Sequence, residues 1–451
     1  MDAVFINPAY FPKDVASQRY DRFAGFIRKG NMYFLPFEPP LGLASLVSYL
    51  RGKGLEVRLV DQPGEGLSTA EVAESALHDK PRLVGITSMT PTIKVGLELA
   101  RAVKARSPAT PVVLGGVHPT VSPESLLEQS EVDLVVRGEG EMPLAWLLEG
   151  GLEALAQGRT APQGICYKRD ANRFLSGRAP LISNIEDLPP PDYHAFPVEE
   201  YVRYTQELRG MRAISMMVTR GCPYQCAFCA VQETMGRCWR RRKARHASAL
   251  MDRLVADLRL EGIWFKDSIF NLNTGWTKSF CVARARSPVN AFWQINTRCD
   301  LVRQDEIHQM ADAGLVQIDL GIESGSERTL NTLNKKITVR DIRRAIEIAR
   351  ERVKVSGFFM IGVPGETEDD IRSSFELARD LALDAYCWSI YTPLPGSSIF
   401  ECLRQQGRIG PSQDFEKIHF TEADRSYCEV PIERLKELYY EINEHFSLPA
   451  A

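Results

Sequence analysis

Thr219-Arg220-Gly221-Cys222-Pro223-Tyr224-Gln225-Cys226-Ala227-Phe228-Cys229 places three thiols within eight residues, spaced C-x3-C-x2-C, directly after a β-branched run at Ala213 to Thr219. Iron-sulfur clusters need thiolate ligands, and a loop this short wraps a 4Fe-4S cube only by curling its backbone around it. Three local cysteines, Cys222, Cys226 and Cys229, leave one iron without a protein ligand, and an open coordination site is what a catalytic metal needs. The competing readings are loop cysteines that merely pack, or a zinc site. Zinc usually takes four ligands in paired C-x2-C units, and no second pair follows; His246, in a basic helical stretch, reads as a surface residue.

Working outward, residues 211–405 alternate strand-like and helical stretches. Candidate strands are Ala213 to Thr219, Ile263 to Asp267, Ala291 to Arg298, Val316 to Ile322, Val355 to Ile361 and Ala385 to Thr392. Six βα units in a row predict an α/β domain, either an open sheet or an incomplete barrel. Residues 1–150 show the same rhythm with five strands, at Ala3 to Asn7, Glu56 to Asp61, Leu83 to Ser88, Val112 to Gly115 and Asp133 to Arg137. Helical segments fall near 41–53, 69–79, 92–107, 122–129 and 141–149, which predicts a parallel sheet wound by helices, with ligands at the strands' carboxyl ends. Residues 151–210 break the pattern and read as a linker. It holds a hairpin around Ile165 to Leu175 and the run Pro189-Pro190-Pro191, which should lie extended across the seam between the domains. The tail, 406–451, carries a helix around Ile432 to His445.

The 451 residues allow two or three domains with real cores. With 44% apolar and 25% charged residues and a formal net charge of -3, nothing favours nucleic acid or an anionic membrane. No apolar run approaches the ~20 residues of a membrane span. Met1 to Ile6 reads as a first strand and not as a signal peptide, so a cytoplasmic protein is expected. The seven remaining cysteines, Cys166, Cys238, Cys281, Cys299, Cys387, Cys402 and Cys428, are scattered and read as small apolar residues. The basic run Arg237, Arg240, Arg241, Arg242, Lys243 and Arg245 reads as a solvated helix face, with contact to an acidic substrate or reductant as the alternative.

The cysteine spacing, with an aromatic residue before the last Cys, resembles the radical S-adenosylmethionine superfamily. The resemblance implies a partial (β/α)6 barrel and a 4Fe-4S cluster whose open iron is chelated by S-adenosylmethionine. Electron transfer then breaks a C-S bond, giving a 5'-deoxyadenosyl radical that removes hydrogen from a substrate. The cofactor carries the hard chemistry and the protein supplies orientation and exclusion of water. By resemblance, Asp267 in Phe265-Lys266-Asp267-Ser268 meets the methionine amino group, a surface-turn Asp being the alternative. Arg298 is placed for the methionine carboxylate, which a guanidinium matches with two parallel hydrogen bonds. Glu323 and Ser324, in Gly321-Ile322-Glu323-Ser324-Gly325, resemble positions near the methionine or ribose. Ile361 and Gly362, in the run Gly357 to Thr367, resemble the adenine-binding strand and turn, where glycine permits close backbone approach. Strand-end turns, or a helix start at Glu366 and Thr367, are the alternatives.

Pro39-Pro40-Leu41-Gly42, Gly85 to Thr90, Gly115 to Thr120 and Arg137 to Glu141 resemble the cobalamin-binding domain that precedes the radical domain in a large subfamily. This implies a doubly wound, flavodoxin-like fold in which Ser88, Thr90, Gly115 and Gly116 make room for the nucleotide tail of cobalamin. A generic doubly wound domain with turn glycines is the alternative. The lower-ligand segment Asp-x-His-x-x-Gly reads Asp61-Gln62-Pro63-Gly64-Glu65-Gly66 here, without His, as is usual for the radical subfamily and equally compatible with a lost cofactor. His118 reads as a structural residue.

The expected function is an enzyme using a 4Fe-4S cluster, S-adenosylmethionine and cobalamin to methylate an unactivated carbon of a small molecule, a lipid or a tetrapyrrole. The first alternative is radical dehydration, cyclisation or rearrangement on the same fold; the second is a non-enzymatic cluster or cobalamin carrier. An electron donor such as flavodoxin or ferredoxin is the expected protein partner. No catalytic side chain is singled out.

Overall fold

The computed structural model describes residues 1–10, 37–170, 172–410 and 423–446; parts of the 406–451 tail therefore lie outside the described residues. The first sheet begins with β1 (Ala3–Asn7), whose Ala3, Val4, Phe5 and Ile6 are all buried. A run apolar on both faces suits a central strand of a parallel sheet covered by helices on each side. Around it stand α1 (Leu41–Gly52), β2 (Val57–Asp61), α2 (Thr69–His78), β3 (Leu83–Thr87), α3 (Ile93–Arg106), β4 (Val112–Gly115), β5 (Leu134–Val136) and α4 (Glu141–Trp146). The capping box of Ser68 with Glu71 opens α2. The parallel order β2-β1-β3-β4-β5 is the flavodoxin-like one.

The helix expected near 122–129 is Pro123–Leu127, preceded by a separate short one, Val117–Val121, because Pro123 lacks the N–H to continue it. The chain departs from the sequence reading in two places. After α4 the chain widens and leaves helical geometry at Glu149 and Gly150, the latter at φ 120°. The hairpin β6 (Ile165–Arg169) and β7 (Asn172–Phe174) is no linker element: β6 pairs antiparallel with β5 and extends the first sheet to seven strands.

The Pro189 to Pro191 segment does cross the seam. Ser48 of α1 donates to the Pro190 carbonyl at 2.6 Å, while Arg242 of the second domain donates to the Leu188 and Pro189 carbonyls at 3.0 Å each. Beyond it, α5 (Val198–Arg209) leads into the second domain.

The second sheet is six parallel strands in consecutive order: β8 (Ala213–Met216), β11 (Gly262–Phe265), β12 (Phe292–Arg298), β13 (Leu315–Glu323), β14 (Lys354–Ile361) and β15 (Ala385–Ile390). Among the described residues β8 and β15 do not pair, so the incomplete barrel is the form adopted. The helices are α6 (Ala244–Leu258), α7 (Thr274–Ala285), α8 (Gln304–Asp312), α9 (Val339–Arg350), α10 (Glu368–Leu381), α11 (Ser398–Gln405) and α12 (Ile432–His445). Capping boxes at Thr338 with Asp341 and Thr367 with Asp370 start α9 and α10, and Ile342, Ala345, Ile346 and Ala349 form the buried stripe of α9. Along β12 and β13, Trp293, Ile295, Ile318 and Leu320 join the core while Gln294, Asn296, Arg298 and Asp319 alternate with them. Period-two alternation therefore puts a polar face inside the half-barrel.

The strand expected at Ala213 to Thr219 stops at Met216. Thr219–Arg220 forms a separate strand, β9, antiparallel to β10 (Arg240–Arg241). The basic run is accordingly not a solvated helix face: Arg240 and Arg242 are buried, at 5% and 8% exposure, in the interdomain seam. Among the described residues no helix is long and apolar enough to cross a membrane.

Candidate active site

The cysteine loop is held from every side. Gly221 sits at φ 89°, and a Cβ there would lie 2.2 Å from the Cys238 carbonyl oxygen, so only glycine fits. The Cys222 N–H donates to Gly236 at 3.1 Å and the Ala227 N–H to Leu333 at 2.8 Å. The Ala227 carbonyl accepts from the Ile399 N–H and from the Ser398 hydroxyl of α11, at 3.0 and 3.2 Å. Cys222, Cys226 and Cys229 are half-buried free thiols. Burial pushes the Cys229 thiol up to about 11, so a positive centre is needed to hold it as a thiolate. Among the described residues no three His, Cys, Asp or Glu side chains converge on a single ion position. A cubane takes one thiolate at each of three corners, so its ligands need not converge on one point. The donor set fits it.

Two buried cations face this loop. Arg298 ends β12 with its guanidinium 3.8 Å from the Tyr224 ring centroid and Nη1 3.5 Å from Cys226 Sγ. Its fork is already engaged: Nε donates to Asp300 at 2.9 Å and Nη2 to the Lys335 carbonyl at 2.6 Å. Lys335 donates from Nζ to Glu323 Oε1 at 2.7 Å. Burial pushes its ammonium down, but the Glu323 carboxylate and the Cys226 sulfur outweigh that and hold it above its ordinary value. Glu323 itself is in the left-handed region at φ 69°. A Cβ on Gly321 would lie 2.7 Å from both Glu323 Oε1 and Lys335 Nζ, so the glycine makes room for this pair. Sequence reasoning missed Lys335: it lies in a turn between helices, in no motif.

The other positions expected around the nucleoside have mixed placements. Asp267 is fully buried, and its Oδ1 accepts from the N–H groups of Val218 and Thr219, bracing the approach to the cysteine loop; its Oδ2 has no partner. It is not a surface-turn residue. Burial raises its pKa to about 6. Neighbouring Lys266 pairs instead with Glu38 at 2.8 Å. The Ser324 hydroxyl is engaged with that of Ser374 at 2.9 Å and accepts from the Ser326 N–H at 3.1 Å, away from open space. Ile361 is buried and Gly362 lies at φ 86°. The turn after them closes on Glu366, whose Oε2 accepts from the Gly362 and Val363 N–H groups at 2.6 and 3.1 Å. A helix does start here, capped by Thr367, and Glu366 just before it is a buried carboxyl that burial pushes up to about 8.

Between the domains lies a cavity of ≈ 360 Å³ at the carboxyl ends of β3, β4 and β5. Gly115 and Gly116 line it, together with Thr87, Thr120 and, from the second domain, Thr219 and Arg220. Ser88 and Thr90 do not. The Ser88 hydroxyl is buried behind the wall without a partner, within 2.5 Å of where a Cβ on Gly96 would stand. Thr90 faces His118 Nδ1 at 3.2 Å, and burial pushes His118 down to about 4. The Asp61 carboxyl accepts from Asn7 at 2.8 Å and Tyr201 at 2.7 Å, away from the cavity. A largely apolar cavity with a few hydroxyls suits part of a corrin cofactor, though its volume is too small for the whole. A Cβ on Gly115 would meet nothing nearer than Val136 at 3.9 Å.

A family model described as the B12 binding domain matches residues 34–148, and one described as the radical SAM superfamily matches residues 216–378. The chain is 29% identical to an uncharacterised methyltransferase of Pyrococcus horikoshii, over 80% of this chain and 78% of that protein. It is 29% identical to the anaerobic magnesium-protoporphyrin IX monomethyl ester cyclase of Rubrivivax gelatinosus, over 85% of this chain and 69% of that protein. The solved structure of the radical S-adenosylmethionine methyltransferase TsrM from Kitasatospora setae, with cobalamin and a 4Fe-4S cluster bound, shares the fold at a TM-score of 0.72. The two chains are 19% identical, and the match covers 90% of this chain and 78% of that one. Two domain matches in this order, on a flavodoxin-like sheet followed by a six-stranded half-barrel with a three-cysteine loop, place the chain in the radical SAM superfamily, in the subfamily with an N-terminal domain of the B12-binding type.

Proposed function

We propose that this enzyme abstracts hydrogen from a small-molecule substrate and methylates the resulting carbon, using S-adenosylmethionine, a 4Fe-4S cluster and cobalamin. One observation carries the reading: the cavity walled by Gly115 and Gly116 also has Thr219 and Arg220 in its wall, and Arg220 stands two residues before Cys222. A methyl source in the first domain and a radical source in the second would thus face a common space. When bound, the cluster with S-adenosylmethionine supplies hydrogen-atom abstraction and cobalamin supplies the methyl group.

Cys222, Cys226 and Cys229 would hold the cluster. Arg298 and Lys335 would offset its negative charge, and the ends of β12, β13 and β14, with Glu323 and the Gly362 turn, would seat S-adenosylmethionine. Ser324 would position backbone and not touch the ligand, since its hydroxyl is engaged with Ser374 and the Ser326 N–H, whereas Asp267 braces backbone through Oδ1 and keeps Oδ2 without a partner for the methionine amino group. Gly115, Gly116, Thr87 and Thr120 would receive the corrin cofactor, and an external electron donor of the flavodoxin or ferredoxin kind would supply reducing equivalents. Cyclisation is the second reading, favoured by the equal 29% identity to the Rubrivivax gelatinosus cyclase.

Anaerobically reconstituted protein, loaded with hydroxocobalamin, desalted and given dithionite, trideuteromethyl-labelled S-adenosylmethionine and a small-molecule extract, separates these outcomes. Retained cobalamin with a product heavier by one labelled methyl supports methylation. Retained cobalamin and 5'-deoxyadenosine without labelled product supports cyclisation. Absence of cobalamin after desalting sinks the methyl-donor reading.

A further inference from the structure

The two domains are joined by charges buried around one side chain. Glu139, at 7% side-chain exposure, lies 2.8 Å from Arg240 and 3.0 Å from Arg220. Arg220 reaches on to Glu141 at 2.6 Å and to the Ser45 hydroxyl at 3.1 Å. The second Glu139 oxygen accepts from the Ile182 N–H at 2.7 Å. Glu139 lies in the loop after β5 of the first domain and Glu141 opens α4, while both arginines belong to the β9–β10 ladder, where Arg220 and Arg240 are directly paired.

This ladder brackets the cysteine loop. Arg220 immediately precedes Gly221 and Cys222. Arg240 donates from Nη2 to the Met235 carbonyl at 2.7 Å, at the end of the short helix that follows Cys229. Glu139 therefore grips the loop at both ends. Glu139, Glu141, Arg220 and Met235 also line the interdomain cavity. Apolar residues of similar volume would hold a seam at least as firmly as buried ion pairs, whose desolvation offsets much of their attraction. What a directional, hydrogen-bonded charge pair adds is a fixed geometry. Glu139, Glu141 and Arg220 are thus cavity wall and part of the loop's anchorage at once.

We propose that Glu139 is a positioning residue that, through Arg220 and Arg240, couples the contents of the interdomain cavity to the setting of the cysteine loop. The inference rests on the reading that the cavity receives cobalamin and the loop a cluster. The coupling is carried by one continuous set of bonds, so it should be lost when the central charge is removed even if both sites still fill.

The test is loss of iron from the anaerobically reconstituted enzyme to an excess of chelator, followed optically with and without bound hydroxocobalamin. In the wild type, hydroxocobalamin slows the loss by about fivefold or more, the lower range of ordinary site-to-site coupling. In E139Q the ratio falls to near one while hydroxocobalamin stays bound after desalting. Where E139Q does not fold, E139M/R240M removes the pair together, avoiding a stranded buried cation, and the same ratio is read. Undiminished protection in either variant would mean that the cofactor merely covers the loop, and overturns the proposal. Failure of the wild type to retain hydroxocobalamin overturns the cavity reading itself and this proposal with it, a result distinct from retention without protection.

Discussion

At the ends of β3 and β4 the chain offers a cavity walled by Gly115, Gly116, Thr87 and Thr120, whereas at the ends of β12, β13 and β14 it packs Arg298, Glu323, Lys335 and Glu366 into the interior. The first is lined mostly by apolar and uncharged groups, the charged side chains Glu139, Glu141 and Arg220 in its wall being paired with one another along the seam. The second is preset by charges whose partners are fixed before any ligand arrives. A site of the second kind is sensitive to single deletions, because each leaves a buried charge or donor behind. A site of the first kind should tolerate them unless the new atoms occupy the cavity.

Lys335→Met should give the largest effect on that contrast. It leaves the Glu323 carboxylate, at 12% side-chain exposure, without its cation, and about 3–5 kcal/mol of stability should be lost in a urea titration. Next comes pH. Glu366 is raised by burial from 4.5 to about 8 in the fold, so the folded state binds its proton more tightly than the unfolded chain does. Its contribution to stability is complete below the unfolded value and is lost as pH rises from about 4.5 through about 8, with a slope of up to about 1.4 kcal/mol per pH unit. Urea midpoints measured across that window should fall, and E366Q should flatten the slope.

On the other side, Gly115→Val should weaken hydroxocobalamin binding about tenfold or more, equivalent to about 1.4 kcal/mol. Equilibrium dialysis reads the affinity, and the thermal midpoint should hardly move, since a Cβ there meets nothing within 3.9 Å. Smallest of all, Ser88→Ala removes a hydroxyl that has no partner and should change stability by no more than about 0.5 kcal/mol. A large loss of cofactor affinity in that variant would return Ser88 to the cavity wall.

The legibility of the two sites differed for the same physical reason. Cys222, Cys226 and Cys229 are close in sequence because one short loop must supply all three, so spacing alone exposed them. The strands around them declared themselves by apolar runs, and the helices by caps such as Thr338 with Asp341. Lys335, Glu139 and Arg240 act across gaps of 12 to 101 residues, and no local pattern records such partnerships. Ser88, expected beside the cofactor, has its hydroxyl buried behind the wall, while Thr87 one residue earlier lines the cavity; a strand-end motif does not record which of two adjacent hydroxyls faces the opening. The basic run misled because Arg240 and Arg242 look solvated until the second domain is folded against the first.

The central claim is that one loop presents three thiolates to a cluster that cleaves S-adenosylmethionine. Anaerobic reconstitution of the wild type and of Cys226→Ala, followed by dithionite, S-adenosylmethionine and quantification of 5'-deoxyadenosine against bound iron, tests it most directly. The wild type should bind about four iron atoms per chain and form 5'-deoxyadenosine, and the variant should form none. Equal 5'-deoxyadenosine from both proteins, or a wild type that takes up no iron, would contradict it.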